Sequence, residues 1–261
     1  MFSKIAKFIK SLFAPNTPPK PPAKTIIPPS VKPTETPYPS RESNEHRAED
    51  HSAETQLSIF LDKYLYGCFP TGNAFSSIRR IQDKEQQLQG VDVEFVGIDG
   101  KVYCVDEKAQ LHYLNQNLPT FAFELLSYQK GYDTVGWLCN DKLKTDLYLL
   151  IWPYATQDAY QNITWEHFTK ADCLLIQKQK ILKMLANKGL TEERMLSDAR
   201  RIRATGQKGK IPIDGIRGIY YFASYPRKYR EAPINIIISK SILLELTQRR
   251  YMVSPHGVQT E

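Results

Sequence analysis

The stretch Gln89–Gln110, QGVDVEFVGIDGKVYCVDEKAQ, decides how the rest of the chain is read. Val91 to Val96 and Lys101 to Ala109 are rich in β-branched and aromatic residues, and Asp99-Gly100 between them suits a tight hairpin turn. Strand side chains alternate between the two faces of a sheet. Asp92 and Glu94 therefore share one face, with Val91, Val93 and Phe95 on the other. On the second strand the same alternation gathers Asp106, Lys108 and Gln110 and turns Glu107 away. Closing the hairpin brings Asp92 beside an Asp-x-Lys-x-Gln row, a group of two carboxylates, one ammonium and one amide.

Those residue types suit phosphodiester hydrolysis. Paired carboxylates can hold Mg²⁺, or Mn²⁺ in its place, as an ion that keeps several of its waters. Such an ion polarises a phosphoryl oxygen and lowers the pKa of a bound water. Lys108 would orient that water and offset charge building at phosphorus, and Gln110 could hold the lysine, the water or a phosphate. The spacing Asp92…Asp106-x-Lys108, with Gln110 two positions further on, resembles the PD-(D/E)xK nuclease superfamily. The run Asp83…Gln87…Gly90-Val91-Asp92, followed by DEKAQ and TFAFEL, is similar to bacterial and phage proteins of this type, over roughly residues 54–152.

The resemblance implies a restriction-endonuclease-like α/β fold, a mixed sheet flanked by helices. It also implies metal ligation by Asp92 and Asp106, a catalytic role for Lys108, and a part in bacterial or phage DNA processing or defence. Val91 stands where the superfamily usually has proline. A glutamate from the preceding helix is often an accessory metal ligand there, and Glu54 matches it; otherwise Glu54 is a capping acid of the first helical turn. The same fold without activity would serve as a nucleic-acid-binding or scaffold module.

Working outward, Leu57, Phe60, Leu61, Tyr64 and Leu65 form the buried stripe of a helix that opens the folded domain, residues 53–253. Ser76 to Ile81 reads as a first strand, Thr120 to Lys130 as a helix opening after Pro119, and Thr134 to Leu138 and Leu147 to Trp152 as strands. Beyond Pro153, helices are expected at Cys173–Asn187, Thr191–Ala204 and Lys240–Arg250, and strands at Gly218–Phe222 and Ile234–Ile238. Helix, meander, helix, strand predicts an α/β sandwich around a mixed sheet.

Ahead of the domain, residues 1–13 read as an amphipathic basic helix, too short to span a bilayer. It reads as a membrane-surface anchor, a docking helix for a protein partner, or a tail without a role. Residues 14–52 read as a linker, Pro-rich to about Ser40 and then polar, extended and disordered.

A formal charge of +7 suggests a polyanionic partner. Arg200, Arg201, Arg203, Lys208 and Lys210 could grip backbone phosphates or form a solvated helix end, and Gln87 could contact nucleic acid from just before the acidic strand. Four cysteines without a CxxC pair read as reduced thiols in a cytoplasmic protein, and five scattered histidines argue against imidazole metal sites.

Overall fold

The computed structural model describes residues 42–68, 75–129, 131–224 and 232–261. The basic helix expected at residues 1–13 and the Pro-rich part of the linker lie outside them. Helix α1, Glu42–Leu61, buries Ala53, Leu57, Phe60 and Leu61, spaced to form one apolar stripe. At roughly 1.5–3 kcal/mol for each large buried side chain, that stripe anchors the helix. The helix begins inside the stretch 41–52 that reads as linker. Being polar, that first part shows no apolar periodicity of its own.

Asp62–Tyr66 continues α1 as a π-helical turn. The wider turn rotates the residues after Leu61 relative to the stripe, and Asp62 and Tyr66 meet Arg80 and Glu107 of the sheet.

The main sheet has seven strands in the order β1-β2-β3-β6-β7-β11-β12. These are β1 (Phe75–Arg80), β2 (Val93–Gly97), β3 (Val102–Ala109), β6 (Leu147–Ala155), β7 (Phe168–Gln177), β11 (Arg249–Ser254) and β12 (Gly257–Thr260). Only β3 and β6 run parallel; every other neighbouring pair is antiparallel. The meander β1-β2-β3 is the one expected, with a short helix α2, Lys84–Leu88, inserted between β1 and β2 and capped by Asp83.

The second sheet corrects the largest misreading. Thr120–Gln129 is strand β4, not a helix, and it pairs with β5 (Tyr132–Val135) on one side and β10 (Ile234–Ser239) on the other. With β9 (Ile219–Ala223) and β8 (Gly209–Pro212) they form a five-stranded antiparallel sheet, β5-β4-β10-β9-β8. Phe121, Phe123 and Leu125 are buried in alternation, which is the period of a strand. The crossover between the parallel strands β3 and β6 thus runs through a β-hairpin. Two further helical expectations shorten. Residues 168–177 are strand β7, so α3 spans only Lys178–Asn187, and α5 stops at Leu246 (Lys240–Leu246) before β11 begins. Helix α4, Glu192–Thr205, lies where expected, with Thr191 as its N-cap and Gly206 in the left-handed conformation at its end.

Two cores sit on opposite faces of the main sheet. Leu147, Leu149 and Ile151 of β6 join Val93, Phe95 and Val105 under the stripe of α1. Tyr148, Leu150 and Trp152 face the other way, into a core shared with the second sheet and helices α3, α4 and α5. This mixed α/β arrangement decides which side each residue of β3 faces. No helix among the described residues is long and apolar enough to cross a membrane.

Candidate functional site

Register places Asp106 beside Tyr148 and Lys108 beside Leu150, so both turn towards the inter-sheet face. Val105 and Glu107, opposite Leu147 and Leu149, turn towards α1. Asp92 precedes β2, and its backbone N–H donates to Val105 O at 2.9 Å, which sets it alongside Asp106. The alternation expected for this hairpin is therefore present, and the acids and the lysine meet.

Asp106 is buried, 2% exposed. Its Oδ1 accepts a short hydrogen bond from Lys108 Nζ, while its Oδ2 has no hydrogen-bond partner. Asp92 Oδ2 accepts the Glu107 backbone N–H at 2.8 Å. Burial pushes the Asp92 carboxyl up to about 6, and the adjacent Asp106, close enough to share a hydrogen bond, adds to the rise. Burial opposes the charge on Lys108, but Asp106 and Asp92 outweigh it and hold the ammonium above its usual range. The ammonium also lies 5.5 Å from the centroid of Trp137, whose ring packs on Tyr148 and Phe123.

Glu54, on α1, is exposed to solvent; the neighbouring protein still partly desolvates its carboxyl and raises it above the usual range, and it lies within electrostatic range of Lys108 and Asp92. Among the described residues, no three His, Cys, Asp or Glu side chains converge closely enough to hold a metal. Asp92 and Asp106 stand as a pair, without Glu54 as a third ligand in this arrangement. The pair still fits a Mg²⁺-type ion, which takes one or two carboxylates and completes its shell with water and substrate oxygens. The unpartnered, buried Asp106 Oδ2 is the observation that supports this. A cation shared with Asp92 would satisfy that oxygen; without one, a proton held by Asp92 is the alternative among the described residues.

Gln110 follows the last residue of β3, where the chain leaves the strand; its Nε2 donates to Thr120 O at 2.8 Å and ties the start of β4, leaving Oε1 buried without a partner. Gln87 Nε2 is likewise engaged, on Ile81 O at 2.9 Å.

The basic cluster divides. Arg203 is half-buried, ion-paired with Asp133 at 3.0 Å and donating to Ala232 O at 2.7 Å, a bracing role within the second sheet. Arg201 pairs with Asp198. Burial lowers the Lys208 ammonium, with Arg203 nearby adding to it, and Lys210 lies 4.6 Å over the Tyr220 ring. Arg200 is exposed on α4.

Several neighbours of the site carry no signal in the local sequence. Gly90 has φ +74°, and a side chain there would collide with Thr145 Oγ1 and come within 3.6 Å of Asp106 Oδ2. Thr145 Oγ1 instead donates to Gly90 O at 3.0 Å. On the far face of β3, Arg80 grips Glu107 through two nitrogens, at 2.8 and 3.1 Å, with Tyr66 donating to the same carboxylate and Asp62 accepting from Arg80. That brace steadies the backbone whose N–H holds Asp92. An Arg79–Glu94 pair would suggest such cross-strand bracing, but Arg80–Glu107 spans two strands and could not be read from spacing.

A cleft of about 300 Å³ lies at the hairpin end of the strands, between Gly97, Tyr103 and Gln177. Asp92, Asp106 and Lys108 are not in its lining, and the acidic pair defines the site better than cleft size does. Compared with known proteins, the chain matches no protein-family model, no curated protein and no solved structure.

Proposed function

We propose that the chain is a metal-dependent nuclease of the PD-(D/E)xK type that hydrolyses phosphodiester bonds in DNA. The observation that carries this reading is a buried carboxylate oxygen without a partner, Asp106 Oδ2, beside a second acid whose pKa is pushed up to about 6. Two acids forced together at this cost are a poor structural device and a good cation site. Asp92 and Asp106 would hold Mg²⁺ or Mn²⁺. When bound, the ion would polarise the scissile phosphate and lower the pKa of a coordinated water.

The chain's own residues supply the rest. Lys108 stays protonated and presents a fixed positive charge for an attacking water and a developing phosphorane. Glu54 adds a further negative charge within reach of Asp92 and Lys108. The order helix, meander, parallel strand is compatible with a restriction-endonuclease-like core in which the hairpin β4–β5 replaces the crossover helix.

One observation favours a catalytically inactive nucleic-acid-binding module instead: Lys108 occupies Asp106 Oδ1. Incubating the purified chain with plasmid, linear and single-stranded DNA, with Mg²⁺, Mn²⁺ or chelator, separates the two. The nuclease reading expects metal-dependent cutting that falls at least ~100-fold in Asp106→Ala and Lys108→Ala. Tight binding with no cutting in any metal would leave the inactive module.

A further inference from the structure

Helix α3 begins two residues past Ile176, which the sheet register sets in line with Tyr148 and Asp106. Lys178, its first residue, is buried and within electrostatic reach of Asp106, and its backbone N–H donates to Asp146 O at 2.9 Å. From there the helix carries Lys180, Lys183 and Lys188 outward. Lys180 and Lys183 are neighbours at i,i+3, as are Lys180 and Met184 at i,i+4, and Lys188, the cap just past the helix, joins them with Asn187 around one groove. These five residues and Leu246 of α5 line an open groove of about 450 Å³.

The lysines are exposed, and among the described residues none of the three makes an ion pair. The groove has no acidic residue in its lining. This differs from the basic cluster of α4, where Arg201 and Arg203 are neutralised by Asp198 and Asp133. A row of unpaired ammonium groups costs self-repulsion and gains nothing within the fold, whereas a polyanion laid along it would be held by all three.

We infer that the Lys180–Lys183–Lys188 groove is a docking surface for the phosphate backbone of duplex DNA, leading the strand from α3 towards the acidic centre. The choice of DNA rests on the proposed nuclease function; the groove's demand for a polyanion does not. Helix rise puts Lys180 and Lys188 about 12 Å apart, the axial span of about three to four phosphates of one strand.

The test is equilibrium binding of the full chain to a fluorescent 30-base-pair duplex in chelator, where no cutting occurs, over a range of salt. The comparison is between the wild type, a triple variant Lys180→Gln/Lys183→Gln/Lys188→Gln, and a control triple Lys63→Gln/Lys101→Gln/Lys170→Gln with the same charge change. Circular dichroism and the thermal midpoint verify that each is folded. Affinity should fall ~10- to 100-fold in the groove variant, and the slope of log K against log salt should shrink by roughly 2 to 3, about 0.9 for each lost contact. The control should change both far less.

Equal losses in both triples, or none in either, overturn the inference. So does a groove variant that loses only binding to vesicles containing phosphatidylserine. If lysine-dependent DNA binding is found but no metal supports cutting, the nuclease reading fails and the docking surface stands.

Discussion

Two buried aspartates, Asp172 and Asp106, lie on the same sheet with opposite provision of partners. Asp172, on β7, is 3% exposed and fully served. Lys240 Nζ donates to its Oδ2 at 2.7 Å, and Arg250 reaches both oxygens, at 2.9 and 3.1 Å. Lys240 in turn donates to Asn117 Oδ1 and sits 4.1 Å over Trp152, and Arg250 pairs with Glu261. Burial works against the Asp172 carboxylate, yet Arg250 and Lys240 hold it below its usual range. Asp106 is as deeply buried, but has one lysine on one oxygen and no cationic or hydrogen-bonded partner on the other, only the acid Asp92 close by. A charge that stabilises a fold collects its partners within the fold; a charge left short of them points to a ligand that brings its own.

Breaking each cluster should therefore give opposite signs. Asp172→Ala leaves Lys240 and Arg250 without their shared carboxylate in a buried setting, and should cost about 3–5 kcal/mol of stability in denaturant unfolding. Asp92→Asn removes one of two repelling acids while keeping the Lys108–Asp106 pair. In chelator at neutral pH it should gain on the order of 1–3 kcal/mol, measured the same way, while abolishing any metal-dependent cutting.

The pH dependence sharpens the contrast. The folded pKa of Asp92, about 6, lies above its ordinary value, so the native state binds that proton more tightly than the unfolded chain does. In metal-free solution the wild type should thus lose stability as pH rises from about 4 to about 6, and Asp92→Asn should lack that slope. The depressed pKa of Asp172 works the other way. Its contribution is present above the ordinary carboxylate range and is lost as pH falls below it.

The hairpin was legible because everything it needed was local: period-two alternation, a turn dipeptide and the identities of three polar residues. The stripe around Leu57 predicts an inward Glu54, but the side chain is exposed, and only its charge reaches Lys108, because Ala53 takes the inward position beside it. Strand β4 was not legible. TFAFELL satisfies helical and strand spacing alike, and the register that decides for a strand comes from β10, more than a hundred residues further on. The same holds for Thr145 against Gly90 and for Arg80 against Glu107, contacts made only after the sheet has assembled. Lys178 was hidden inside a misread helix, since its burial depends on where β7 ends and α3 begins. Arg203 looked available for phosphate because Asp133 and Ala232, which occupy it, belong to other strands of the second sheet or their connections.

Mn²⁺ titration by calorimetry at pH 6, on the wild type and on Asp92→Asn, addresses the acidic pair itself. The wild type should bind the ion with release of a proton from the pair, and Asp92→Asn should bind at least ~10-fold more weakly with less proton release. Equal affinity in the two proteins, or no binding by the wild type at millimolar Mn²⁺, would contradict a cation site at Asp92 and Asp106.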